Sequence, residues 1–165
     1  MIIGDTHSNS FDDLPCEMRT YLNNVDWVFH VGDFISESVL EGFINIKGSH
    51  FIGVYGNADP LQIRKVLPAK KIVEIGGKRI GCTHPDRGGS ENNAKRIVID
   101  RFTNEKLDII LFGHTHHPLL TTINGTLFIN PGKGYLEEIF FGPPTTIALL
   151  TINNKIQAEI KIIKK

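Results

Sequence analysis

The chain predicts an α/β protein in which two β-sheets pack face to face with helices on the outside. Three features of the sequence point there. Up to Phe112, apolar and β-branched runs alternate with segments of helical periodicity, and beyond Pro118 the pattern changes to hairpins. The runs of the first part also break repeatedly at a glycine or threonine followed by an acid, an amide or an imidazole. These breaks recur roughly once per strand-helix unit of about 30 residues.

Taken in order, only Met1, Ile2 and Ile3 precede Gly4, so the first strand is expected to be unusually short. From Leu14 to about Asn24 a helix is expected, because Leu14, Met18, Tyr21, Leu22 and Val25 share one face and Pro15 suits a first turn. Val25 to Val31 alternates as a strand and stops at Gly32-Asp33. Ser36 can cap a helix whose inner face is Val39, Leu40, Phe43 and Ile44, ending before Gly48. Phe51 to Tyr55 forms a third strand, broken by Gly56-Asn57-Ala58-Asp59, and Pro60 to Pro68 reads as an irregular connection or short helix. Lys71 to Ile75 and Lys78 to Thr83 flank Gly76-Gly77 as a hairpin. Ser90 opens a helix through Asn104 with Ala94, Ile97, Val98 and Phe102 inward, and Leu107 to Phe112 is the next strand. Asn124-Gly125 joins Leu119 to Ile123 with Thr126 to Ile129. Lys133 to Pro144 reads as a loop, and Asn153-Asn154 joins a last hairpin of Thr145 to Ile152 and Lys155 to Ile163.

Composition narrows the function class. The 165 residues suit one domain spanning 1–165, large enough to bury roughly two thirds of its unfolded surface. Basic and acidic residues number 18 each, so no global charge footprint for nucleic acid exists. No apolar run approaches the roughly 20 residues of a membrane span. Cys16 and Cys82 lie far apart without C-x-x-C spacing, which suits reduced thiols and a cytoplasmic location.

The chemistry sits at the breaks. Gly4-Asp5-x-His7, Gly32-Asp33, Gly56-Asn57, Thr83-His84 and Gly113-His114-x-His116 offer two carboxylates, one amide and four imidazoles. In an open α/β sheet such strand ends line one edge, where ligands bind. The preceding glycine is expected to let the backbone turn out of the sheet. Nitrogen and oxygen donors without thiolate suit Mn, Fe, Zn, Ni or Co. Seven donors exceed one tetrahedral ion but fit two ions sharing a carboxylate, and Asp33, central in the set, is the natural bridge. Two ions about 3.5–4 Å apart can acidify a bridging water and clamp a phosphoryl group during in-line attack.

The ordered set D-x-H, G-D, G-N-x-D, T-H and G-H-T-H, with Asn130-Pro131-Gly132 beyond it, resembles the calcineurin-like metallophosphoesterase superfamily. Within it the chain is similar to the small phosphodiesterases of the YfcE type and their relative, the retromer subunit Vps29. The resemblance spans nearly the whole chain and implies a four-layer αββα sandwich of two mixed sheets flanked by helices. It implies two divalent ions, Mn first among Ni, Fe, Zn and Co, with Asp5, His7, Asp33 and His116 holding one. Asp33, Asn57, His84 and His114 would hold the other, and Asp33, Asn57 and His84 are the candidate catalytic residues. The expected activity is hydrolysis of a small phosphodiester by a hydroxide bridging the two metals. By the resemblance and by base rate, a homodimer is the expected assembly. The alternative is a catalytically weak, Vps29-like interaction scaffold, against which His84 stands, since that scaffold lacks it. A metallo-β-lactamase-type site would need H-x-H-x-D-H, which does not occur.

Three departures from the family pattern bear on this. Ala58 stands where many relatives carry a histidine able to protonate the leaving group. Pro85 replaces the usual glycine after His84, which is expected to adjust or weaken the second site. The short first strand leaves Asp5 with little sheet behind it. Among other residues, His30 is expected to be a satisfied core histidine, His50 an exposed residue, His117 a continuation of the loop into Pro118, and Asp59 either a ligand-orienting group or a turn residue. Arg87 and Lys133 are expected to be solvated charges, with substrate phosphate as the other reading, and Asn130 to Gly132 a turn beneath the site.

Overall fold

The structure, a computed structural model, describes residues 1–86, 90–136 and 142–164. Arg87 and part of the Lys133 to Pro144 loop lie outside these residues. Ten strands form two five-stranded mixed sheets among the described residues. In chain order they are β1 (Ile2–Ile3), β2 (Val28–His30), β3 (Phe51–Gly53), β4 (Lys70–Ile75) and β5 (Lys78–Thr83). They continue as β6 (Ile109–Phe112), β7 (Leu119–Ile123), β8 (Thr126–Asn130), β9 (Thr146–Ile152) and β10 (Ile156–Ile162). The helices are α1 (Cys16–Asn23), α2 (Glu37–Lys47), α3 (Leu61–Val66) and α4 (Glu91–Arg101). One sheet has the order β10-β9-β1-β2-β3 and the other β4-β5-β6-β8-β7.

Strand alternation builds the layers. Ile2, Phe29 and Val31 point into a core shared with Ile80, Cys82, Ile109, Leu111 and Ile129 of the other sheet. Their neighbours Ile3 and Val28 point the opposite way, into a cluster with Met18 and Leu22 of α1, Val39, Leu40 and Phe43 of α2, and Ile63 of α3. On the far side, Ile110, Phe112 and Phe128 pack with Val98 of α4 and Phe102. The result is helix, sheet, sheet, helix, the expected four-layer sandwich. Each fully buried side chain of this kind contributes about 1.5–3 kcal/mol through removal from water.

Local chemistry sets the ends of the elements. Ser36 caps α2 by accepting from the Ser38 N–H at 3.2 Å, and Ser90 caps α4 by accepting from Asn93 at 3.4 Å. Pro15 stands at the N-cap of α1, and Pro60 at that of α3 in the Pro60 to Pro68 segment. The Gly76-Gly77 and Asn124-Gly125 turns have positive φ throughout, as two-residue hairpins require.

Three expectations need correction. The strand expected over Val25 to Val31 pairs only at Val28–His30, because β1 offers it only Ile2 and Ile3 as partners. Ile44 is 38% exposed, since the stripe of α2 that meets the sheet closes at Val39, Leu40 and Phe43. The short β1 does not leave Asp5 with little sheet behind it: the strand lies centrally, parallel to β2 and antiparallel to β9, with Ile2 opposite Phe29 and Ala148.

Candidate metal centre

The polar breaks converge, although not along one sheet edge. Asp5, His7, Asp33 and Asn57 follow β1, β2 and β3 of one sheet, whereas His84, His114 and His116 follow β5 and β6 of the other. The site is therefore the common end of two stacked sheets. Main-chain bonds zip the first two breaks together, with Asp5 N–H donating to the Gly32 carbonyl at 2.9 Å and His7 N–H to the Asp33 carbonyl at 3.2 Å.

The backbone turns differ from the expectation as well. Positive φ falls on the polar residues themselves, with Asp5 at 48°, His7 at 39°, Asp33 at 60°, His114 at 85° and His116 at 61°. Such residues cost of order 1–3 kcal/mol each and persist where the surroundings over-determine them. Among the neighbouring glycines, Gly32 at φ 100° does take the left-handed region, but Gly56 supplies room instead. A Cβ there would stand 2.1 Å from Asp33 Oδ1.

The seven predicted residues form one contact network. His7 Nε2 lies 3.6 Å and His84 Nε2 3.4 Å from Asp33 Oδ2, and His116 Nε2 lies 3.4 Å from Asp5 Oδ1. Asn57 Oδ1 stands 3.1 Å from His84 Nε2 and 2.8 Å from His114 Nδ1. Asp5 also receives the His114 N–H at 3.0 Å. Donor atoms of Asp5, His7 and His116 all lie within 4.8 Å of one another, as do those of Asp5, Asp33 and His84. His114 joins the network through Asn57 and is half-buried. His84 Nδ1 meets the Val31 carbonyl at 2.7 Å; that bond puts a proton on Nδ1 and makes Nε2 the ring atom that faces the cluster.

Several residues brace this network, and sequence reasoning reached only some of them. Asp59 proves to be an orienting group: its carboxylate accepts from Gly56 N–H (2.7 Å), Asp33 (3.0 Å), Phe34 (2.7 Å) and Ile35 (2.9 Å). Asn130 sits beneath, donating to Thr115 Oγ1 at 3.0 Å and accepting from Gly132 N–H at 2.9 Å. His30 is a satisfied core histidine, stacked on Phe34, with Nδ1 accepting from Gly32 N–H and Nε2 meeting Thr6 Oγ1. Burial holds its pKa well below the usual value. His50 is exposed, as expected, and so is His117. Lys133 is no solvated charge: it is 2% exposed, with its ammonium 4.9 Å over the Tyr135 ring. Tyr135, Arg64 and Arg101 escaped notice. The Tyr135 hydroxyl is 3.4 Å from His116 Nδ1 and its ring meets His7 and His116 edge-on. Single polar residues in loops or on a helix carry no pattern that could have singled them out.

Charge is arranged to keep Asp33 ionised. Burial would raise the Asp33 pKa, but the His84 hydrogen bond and charge, the Ala58 N–H and the nearby His7 bring it down to about 2. His84 is itself raised: burial opposes its charge, and Asp33, Asp5 and the Val31 carbonyl outweigh that. His116 is raised by its bond to Asp5, while burial and the neighbouring His84 lower His114.

These residues fit divalent ions. Donor atoms about 2.0–2.2 Å from one ion stand about 3.0–3.6 Å from each other, the range of the carboxylate-imidazole separations above and too long for good charge-assisted hydrogen bonds. His7 Nε2 is buried with no hydrogen-bond partner among the described residues, a lone pair or proton without a use unless a ligand meets it.

Comparison with known proteins identifies the family. The chain is 30% identical over 177 residues to a phosphodiesterase of Methanocaldococcus jannaschii, covering 96% of each protein. It is 28% identical over 163 residues to a probable metallophosphoesterase of the same organism, covering 96% of this chain and 78% of that protein. Its fold matches Vps29 of Cryptosporidium parvum with a TM-score of 0.72 at 22% identity, over 99% of this chain and 96% of the other. It also matches a zinc complex of Vps29 from Entamoeba histolytica with a TM-score of 0.71 at 22% identity, over 98% and 97%. Residues 1–155 match the calcineurin-like phosphoesterase superfamily domain, and the chain belongs to that family of metal-dependent phosphoesterases.

Proposed function

We propose that the chain is a two-metal phosphodiesterase acting on small phosphodiesters. The observation that carries this reading is the seven-residue network spanning both sheets, with the orphaned His7 Nε2 within it. In it Asp5, His7, Asp33 and His116 would hold one divalent ion and Asp33, Asn57, His84 and His114 the other, with Mn the first choice of metal. Bound there, the ions would supply Lewis acidity for the phosphoryl oxygens and lower the pKa of a water between them.

The chain's own residues prepare the site. Asp33, ionised down to about pH 2, keeps a fixed anion between the two donor groups. The Val31 carbonyl and the Tyr135 hydroxyl occupy the Nδ1 atoms of His84 and His116, so that each Nε2 faces inward. Ala58 offers only its N–H, at 2.8 Å from Asp33 Oδ1, and no proton for a leaving group. Departing groups of low basicity should therefore leave fastest.

The test is hydrolysis of bis-p-nitrophenyl phosphate beside p-nitrophenyl phosphate by metal-stripped protein, with Mn, Ni, Co, Zn and Mg restored separately. Metal-dependent cleavage that prefers the diester is expected. Failure to cleave either ester, with metal content confirmed, would refute the assignment and favour a binding scaffold.

A further inference from the structure

Two ligand loops of the site differ from the rest in what holds their main chain. Beyond β5 the chain runs Thr83-His84-Pro85-Asp86, with Pro85 buried and without an N–H to tie the loop down. One guanidinium spans this loop. Arg101, the last residue of α4, donates to Thr83 Oγ1 at 2.8 Å, to the His84 carbonyl at 2.6 Å and to Asp86 Oδ1 at 3.0 Å. On the other sheet, Arg64 of α3 does the same for the loop after β3. It donates to the Asn57 carbonyl at 2.6 Å and the Asp59 carbonyl at 2.7 Å, with its guanidinium 5.5 Å over the Tyr55 ring.

Among the predicted ligands, those gripped in this way are His84 and Asn57, whose side chains meet at 3.1 Å. Asp5 and His7 are instead fixed by main-chain bonds to Gly32 and Asp33. We propose that Arg64 and Arg101 are positioning residues that set the affinity of one of the two metal positions, the one formed by Asn57, His84 and His114 with the shared Asp33. This rests on the two-metal reading above. A planar fork bonding two or three acceptors fixes the direction of the carbonyls, and through them the Cα–Cβ vectors that aim Asn57 and His84. Lysine, whose three donors sit on one nitrogen, cannot span the same acceptors.

The experiment is calorimetric titration of metal-stripped protein with MnCl2 alone, for wild type, Arg64→Met, Arg101→Met, Arg101→Lys and Arg79→Met. Arg79 supplies the structural baseline, since it makes a similar brace to the Lys106 carbonyl and Glu105 away from the site. Two binding events are expected in wild type and in Arg79→Met. In Arg64→Met and Arg101→Met one event should weaken by about tenfold or more while the other stays within about twofold. Arg101→Lys, which keeps the charge and guards against a misfolded Met variant, should behave as Arg101→Met does. Equal weakening of both events, or no change in either, would overturn the positioning role while the two-metal reading stood. Fewer than two events in wild type would overturn that reading, and the proposal with it.

Discussion

Asp59→Asn tests how the Asp33 loop is held. In the native protein Oδ1 accepts from Phe34 and Ile35 and Oδ2 from Asp33 and Gly56, all within 2.7–3.0 Å, at a side chain 3% exposed. Asparagine keeps the shape but replaces one oxygen with NH2. Whichever way the amide turns, one pair of N–H donors faces another donor and stays buried and unsatisfied. Each such group costs about 1–3 kcal/mol, giving about 2–6 kcal/mol in total. Burial raises the Asp59 pKa, so removing the charge relieves part of this and moves the expected loss to about 3 kcal/mol. Two of the residues released, Asp33 at φ 60° and Ile35 at φ 63°, are also strained, and nothing else on the loop replaces the carboxylate. The assay is urea and thermal unfolding of the metal-free protein. For a chain of this size, about 3 kcal/mol corresponds to a Tm lower by about 6–12 °C. A variant within about 0.5 kcal/mol of wild type would refute the argument that the four N–H bonds organise the loop.

Asp33→Asn should lower diester turnover by about two to three orders of magnitude or more and reduce bound metal in elemental analysis, because on the two-metal reading both positions lose their shared anion; wild-type turnover with metal bound would sink the bridging role. Manganese affinity should fall as pH drops through the raised pKa values of His84 and His116, because both must release a proton to bind; titration in two buffers of different ionisation enthalpy should register that release. In the metal-free protein the sign reverses for stability. The raised histidines stabilise the fold below about pH 6.5, an effect lost as pH rises through their folded values, and Asp33 stabilises it above about pH 4, an effect lost as pH falls towards about 2. Urea midpoints from pH 3 to 8 would reveal this window, and a flat profile would contradict it. Tyr135→Phe keeps the ring against His7 and His116 but removes the hydroxyl; at 3.4 Å its bond is long, so the expected loss in manganese affinity by titration is about threefold to tenfold.

Much of this was legible in the sequence because strand alternation and capping are local. Ile2 against Ile3, and Ile109 against Ile110, divide between inner and outer cores by parity alone. The Ser36 cap and the Asn124-Gly125 turn are likewise written in adjacent residues. All seven predicted donor residues came together because a break after an apolar run places a polar side chain at a strand end whichever sheet the strand joins. Which sheet that was could not be read, since pairing of β1 with β9 joins residues separated by most of the chain. Nor could the braces be read. Arg101 resembles any basic residue in the last turn of a helix, and only its three acceptors distinguish it. Lys133 misled for the opposite reason, because a lysine in a glycine-rich loop gives no hint of burial.

The central place of β1 has a consequence for when the protein becomes functional during synthesis. Asp5 is made long before β9, yet one flank of the two-residue strand that precedes it is closed by β9, at Ala148. Its carboxylate meets the His114 N–H, 109 positions later. A nascent chain that has emerged only as far as His116 carries every candidate ligand but lacks the strand that completes the sheet beneath the first of them. Competence for metal should thus arrive late and abruptly, with the final hairpin as the switch, and chains stalled before residue 146 should hold no ordered centre.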